Sequence, residues 1–400
     1  MKLNQIILAA ALSLGVVSLA NATSTNTIYV TGSTAMRGNF YSAIRNAGTV
    51  FTATPITTLF QGGGSSANFM AFQGTQVTNG LPLLVQCHWS GSEGGILDVA
   101  SNGVQSETFI DPSLIDGTDH GSASPSTTTS AYVDIAMADN DQIYSRTTKP
   151  ALASTNKAEV GIITFTWVRN PGIWTGTNLT DQEIRSAFNG SGTLALFTGN
   201  AADTGSYVYV SGRDYSSGTR VNAFGDTGFG ILSGPKQIMM DYLGNMTTNL
   251  VYGSTTDYEY AGDFGFSSGG TLAGTMGDNT TTSTDYVTPG EGPGFSVIAY
   301  LSRGDANTAI SSNAVECAYN GVSFSTNNII EGKWPFFGNE YIMVANNSAG
   351  NSVAQIMFRS LKNVNTGINH FLDDSSGKTI KLTSMHCKRN NGPVSDPTHN

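Results

Sequence analysis

The chain has 400 residues, 39% of them hydrophobic and 12% charged, with 47 glycines. This gives apolar mass for two cores of ordinary domain size and excludes a small disulfide-stapled scaffold. Asp and Glu number 29 against 19 Lys and Arg, a formal net charge of −10 with no basic run, which excludes the electrostatic footprint of a nucleic-acid or acidic-lipid binder.

Residues 1–22 read as an export signal. Lys2 supplies the positive end, Ile6 to Leu19 is a low-polarity stretch, and Ala20-Asn21-Ala22 is a small-x-small site with cleavage expected before Thr23. No cysteine follows that site, and no later segment reaches the roughly 18 apolar residues that span a bilayer. The expectation is a periplasmic or secreted product without a membrane anchor.

Thr27 to Thr31 is a β-branched, aromatic run that ends in Gly32-Ser33-Thr34, after which Met36, Phe40 and Ile44 recur at four-residue spacing. The pattern is strand, tight turn, helix. It returns at Leu83 to Trp89, followed by Gly91-Ser92-Glu93-Gly94-Gly95 and the apolar Ile96, Leu97, Val99 and Ala100. Farther on, Thr180 and Glu183 make a capping box, with Leu179 placed to staple onto Ile184. The pattern appears a third time at Tyr207 to Val210, followed by Ser211 to Thr219 and then Val221 and Phe224. Two stretches dominated by Ser, Thr, Gly and Asp, Asp111 to Ser130 and Thr275 to Gly294, read as exposed loops or insertions, and a strand-like run, Phe295 to Leu301, follows the second. Alternating strands and helices predict α/β layers.

Cys87, Cys317 and Cys387 allow at most one internal disulfide, and their spacing supports no metal site. His386 and Cys387 lie in a polar tail that reads as a solvated terminus.

The three strand-to-helix turns carry the chemistry. A helix N-terminus leaves N–H groups unpaired and bears a partial charge of about +0.5, Ser and Thr add neutral donors, and Gly permits close approach. Such turns hold an anion without lysine, so an acidic protein can bind an acidic ligand. One such turn is ordinary capping; three, with an arginine beside one, point to an oxyanion. In Ser211-Gly212-Arg213-Asp214-Tyr215-Ser216-Ser217-Gly218-Thr219-Arg220 the Arg213 guanidinium can reach a tetrahedral oxyanion in bidentate fashion while the following turn supplies donors.

This segment resembles the phosphate-clamping segment of the periplasmic phosphate-binding proteins of ABC transporters. Thr31-Gly32-Ser33-Thr34-Ala35 looks like the family's first anion turn, and Val133 to Asp139 like its strand ending in an aspartate. Tyr319-Asn320-Gly321-Val322 with Asn328 to Pro335 is similar to its late segment. The resemblance implies an α/β, two-lobed type II periplasmic binding protein fold with the ligand cleft between the lobes. It also implies that Thr34 and the Ala35 N–H hold ligand at the first turn, that Arg213, Ser217, Gly218 and Thr219 hold it at the third, and that Asp139 accepts a hydrogen bond from a protonated phosphate oxygen. Fully ionised sulfate has no such proton to offer. On the residues alone, Asp139-Asn140-Asp141 also reads as a solvated turn or a weak calcium loop. For the second turn two segments resemble the family's, Gly62 to Ser66 with Ser65 and Gly91 to Gly95 with Ser92; Ser92 is chosen, and Glu93 departs from the pattern because an inward carboxylate would repel an anion. The extra length between Thr34 and Asp139 requires an insertion, expected as a hairpin plus the polar loop.

The expected domains are a signal peptide (1–22), lobe 1 (23–149), lobe 2 (150–289), a return to lobe 1 (290–385) and a polar tail (386–400). No catalytic motif is present, and Asp373-Asp374 reads as a solvated turn rather than a glycosidase pair. Trp89, Trp167, Trp174 and Trp334 could form a sugar-stacking platform, although Trp167 and Trp334 read as core. The expectation is a monomeric, non-enzymatic solute-binding protein for inorganic phosphate or a related oxyanion. It needs no cofactor or metal, and its partners are the membrane subunits of an ABC transporter. The alternatives are a secreted or surface protein of the same fold used in adhesion, scavenging or matrix assembly, and a phosphoesterase.

Overall fold

The computed structural model describes residues 26–147, 149–190, 192–238, 265–276, 295–389, 392–394 and 396–399. The export signal, nearly all of the Thr275 to Gly294 stretch and the expected return at Gly290 lie outside these residues.

The first part of the chain forms β1 (Thr27–Gly32), α1 (Arg37–Arg45), β2 (Ile56–Phe60), β3 (Phe69–Thr75), β4 (Pro82–His88), α2 (Ser92–Ala100), β5 (Glu107–Ile110), β6 (Thr128–Ala131) and β7 (Ile135–Ala138). Next come β8 (Lys157–Arg169), β9 (Asn178–Leu179), α3 (Asp181–Phe188), α4 (Leu194–Thr198), β10 (Tyr207–Ser211), α5 (Gly218–Asp226), β11 (Gln237–Ile238) and α6 (Gly269–Met276). The remainder holds β12 (Phe295–Ser302), α7 (Arg303–Ser311), β13 (Val315–Tyr319), α8 (Thr326–Ile330), β14 (Phe337–Val344), α9 (Ser352–Leu361), β15 (Thr379–Ile380), β16 (Cys387–Lys388) and β17 (Thr398–His399). Each of the three turn-and-helix units read from the sequence is present, and the Thr180–Glu183 capping box forms reciprocally at α3, with Leu179 and Ile184 both buried in one core.

The strands run in the order β11-β10-β12-β8-β14-β7-β1-β4-β3-β2, with β13 and β15 also paired to β8. β1 lies parallel between β4 and β7, and β10 lies parallel between β11 and β12. Parallel strands need helical crossovers that cover their faces, and Ile28, Val30 and Val210 are accordingly fully buried.

β8 joins the two lobes. Its residues Lys157 to Thr164 pair with β14, and Phe165 to Arg169 pair with β12. Every residue from Val160 to Arg169 is buried, as expected of a strand with layers on both sides. Around its far end Trp167 stacks on Phe336 at 5.4 Å between ring centres and meets Tyr300 edge-on at 5.8 Å.

Several expectations change. All four tryptophans are buried, so no sugar-stacking platform exists. Part of the polar Asp111 to Ser130 stretch is strand, because β6 pairs antiparallel with β5; The three cysteines are unpaired, buried thiols. The tail is not a solvated extension: Cys387 and Arg389 are buried, and the Arg389 guanidinium forms an ion pair with Asp226 at the end of α5. The sequence reading missed this because the two partners are far apart in the chain.

Candidate functional site

In each lobe the parallel strands end at one edge, and the helices that follow begin there, so their unpaired N–H groups converge. At the first turn the Ser33 N–H donates to the Met137 carbonyl at 2.8 Å. The Ser33 Oγ accepts from the Met36 N–H at 3.2 Å and donates to the Asp139 carboxylate. The hydroxyl that meets Asp139 is therefore that of Ser33. Thr34 and Ala35 are the next two residues of the turn, half-buried.

At the second turn Gly91 has φ +97°, and a Cβ there would lie 2.5 Å from the Ser216 carbonyl, so glycine is required for the two turns to touch. The Ser92 Oγ accepts from the Asp139 N–H at 3.1 Å. Ser65, the other candidate, is exposed on a short 3₁₀ turn, Gly64–Ser66. The Glu93 carboxylate is occupied by the Asn140 side-chain amide at 2.9 Å and the Arg146 N–H at 2.6 Å. The Glu93 N–H donates to the Ser216 carbonyl at 2.9 Å, which ties the second turn to the third.

At the third turn the Arg213 Nε and Nη2 donate to the carbonyls of Phe266 and Ser267 at 2.9 and 2.8 Å, and the Arg213 N–H donates to the Tyr300 hydroxyl at 3.0 Å. The guanidinium is thus held in a fixed plane. Ser217 caps α5 by accepting from the Arg220 N–H at 3.3 Å. A Cβ added to Gly218 would lie 2.5 Å from the Ser92 Oγ and 2.9 Å from the Asp139 Cβ. The Asn222 amide donates to the carbonyls of Asp139 at 3.0 Å and Gly218 at 2.9 Å. Ser33, Ser92, Asp139, Arg213, Ser217 and Thr219 are all buried.

Three residues absent from the sequence reading belong to this neighbourhood. Arg37 opens α1; burial holds its guanidinium below the usual range, with Asp305 raising it and Arg213 lowering it. Asp305 fills the space beside Gly269 at the start of α6, where Arg213 Nη1 lies 3.4 Å from an added Cβ. Glu340, on β14, is fully buried against Asp139. Burial raises the Asp139 carboxyl above the ordinary range, opposed by hydrogen bonds from Glu340 and Ser33, the charge of Arg213 and a hydrogen bond from Ser92. Arg37 stands three residues after the first turn and was legible as a cation there. Glu340 gave no signal, because only cross-strand pairing places it beside Asp139.

These features define a two-lobed α/β protein of the periplasmic-binding-protein kind, with donors from both lobes gathered around one buried carboxylate. No family model matches the sequence, and no curated protein does. Among solved structures the chain is similar to one from Clostridium perfringens described as a putative phosphate ABC transporter substrate-binding protein with bound phosphate. The identity is 12% and the TM-score 0.49, over 89% of this chain and 100% of that one. It is also similar to an ABC-type phosphate transport receptor from Vibrio cholerae (14% identity, TM-score 0.43, 85% and 95% covered) and to PstS from Borrelia burgdorferi (14%, 0.40, 89% and 98%). At such identities the likeness concerns the course of the chain, and the case for a ligand rests on the site itself.

Proposed function

We propose that this chain is an exported solute-binding protein that takes a tetrahedral oxyanion, foremost inorganic phosphate, between its lobes. The observation that carries the reading is the contact of Gly218 with Ser92 and Asp139, which brings two helix N-termini from different lobes onto one carboxylate beside Arg213.

In this reading the Ser33-Thr34-Ala35 turn, Ser92 and the Ser217-Gly218-Thr219 turn donate to the anion, and Arg213 supplies the opposite charge. Fixed dipoles in a dry site bind an anion strongly because they need no reorganisation. Asp139 acts as acceptor for the proton of hydrogen phosphate and repels an oxyanion without one. Lobe 1 comprises 23–149 and 290–385 and lobe 2 comprises 150–289, with the crossing leading into β8. Closure around the anion presents a surface to the membrane subunits of an ABC transporter. The protein is a monomer in the periplasm or outside the cell, residues 1–22 are removed on export, and no bond is made or broken. Among the described residues no helix is long and apolar enough to cross a membrane.

Isothermal titration of the mature protein with phosphate, arsenate, sulfate and molybdate tests this. Phosphate and arsenate are expected to bind and sulfate to be rejected. No heat with any of the four overturns the reading.

A further inference from the structure

Glu340 is a carboxylic acid with no exposed surface. It sits on β14 where Tyr341 pairs with Ala138 and Ile342 with Met137, so the antiparallel register sets Glu340 opposite Asp139. Its carboxyl lies against that of Asp139, and neither of its oxygens has any other hydrogen-bond partner among the described residues. Two ionised carboxylates are acceptors only, and buried side by side they repel without compensation. One proton between them turns the contact into a hydrogen bond.

We propose that Glu340 is held as the neutral acid and donates its proton to Asp139. The pair then carries one negative charge, and Glu340 acts as a positioning residue that keeps Asp139 the ionised acceptor facing the oxyanion. Burial, together with the charge of Asp139, pushes the Glu340 carboxyl far above the carboxylate range.

The surroundings agree with this assignment. The charged group acting on Asp139 from outside the pair is Arg213, which favours ionisation of Asp139, and Ser33 and Ser92 add neutral hydrogen bonds. α5 contributes Gly218 and Asn222, neither of which titrates. β8 contributes Gly161, paired to Glu340. Nearby charges are engaged elsewhere: Glu93 with Asn140 and the Arg146 N–H, Asp141 with Lys157, Glu159 with Asn339 and Tyr341, and Asp226 with Arg389. Without the donor from Glu340, Asp139 would itself retain a proton more readily, and a neutral Asp139 no longer discriminates against an unprotonated oxyanion.

The inference rests on the oxyanion reading for its selectivity and on the unliganded protein for its proton, so the two are tested separately. Infrared difference spectra of the ligand-free wild type against Glu340→Gln at pH 7.5 are expected to show a protonated-carboxyl C=O band that the variant lacks. The lack of that band in the wild type overturns the shared proton. Titrations with phosphate and with sulfate then compare the wild type, Glu340→Gln and Glu340→Leu. Gln still offers an N–H donor to Asp139 and is expected to keep the preference for phosphate within about threefold. Leu offers none and is expected to lower that preference at least tenfold while leaving the far-ultraviolet circular dichroism intact. Equal preference in all three proteins, or loss of preference in the Gln variant, overturns the positioning role. If the wild type binds neither anion, the oxyanion reading and the positioning role fail together, and the infrared band alone decides the proton.

Discussion

Arg213 and Gly218 do opposite things at the same turn. Arg213 brings a charge whose plane is fixed by the Phe266 and Ser267 carbonyls, so no ordering of that side chain remains to be done when an anion arrives. Arg213→Ala is expected to weaken phosphate binding by about 2–5 kcal/mol, the usual cost of truncating one partner of a buried charge pair; an unchanged Kd by calorimetry would move the clamp elsewhere. Gly218 contributes by having no side chain. Gly218→Ala forces a methyl to within 2.5 Å of the Ser92 Oγ, so the third turn must withdraw from the second. Phosphate affinity is expected to fall at least tenfold, while urea denaturation shows a loss of about 1–3 kcal/mol, the scale of local overpacking. Equal binding by this variant would show that the contact is not needed for the ligand.

At the scale of elements, α2 carries two buried carboxylates with different solutions. Glu93 is compensated by the Asn140 amide and the Arg146 N–H. Asp98 is raised to about 7 by burial and by the nearby charge of Glu107. Since an unfolded Asp ionises near pH 3.9, the folded state holds an extra proton on Asp98 between about pH 4 and 7. Stability from this residue is therefore present at low pH and is lost as pH rises to 7. Asp98→Asn is expected to be more stable than the wild type at pH 8, by up to about 4 kcal/mol, with the gap closing toward pH 4. Parallel pH dependences for the two proteins in urea titrations would refute this.

At the scale of the molecule, the last residues matter more than their polarity suggests. The Arg389–Asp226 ion pair is almost without exposed surface on either side and fastens the end of the chain to α5, the helix whose first turn carries Ser217, Gly218 and Thr219. Arg389→Met leaves the Asp226 carboxyl buried and unpaired, at an expected cost of about 3–5 kcal/mol. Adding Asp226→Asn should recover most of that loss, because both charges are then gone. A double variant as unstable as the single one would mean that the cost lies in packing, not in charge.

Much of this protein was written locally. The three strand-turn-helix units, the Thr180 capping box and the alternation that dictates α/β layers depend on neighbours a few residues apart, so periodicity and capping chemistry specify them without reference to the rest of the chain. Arg213, Ser217, Gly218 and Thr219 stand close together in one turn and could be read as a unit for the same reason. Long-range packing decided what local chemistry could not. It set Ser33, one residue before Thr34, against Asp139, and it put Ser92 beside Asp139 while leaving Ser65 exposed. It folded the tail onto Asp226, and it laid Glu340 opposite Asp139. Each of these is a partnership between residues far apart in the chain, fixed by strand register and lobe packing, and neither leaves a mark in the spacing of residue types.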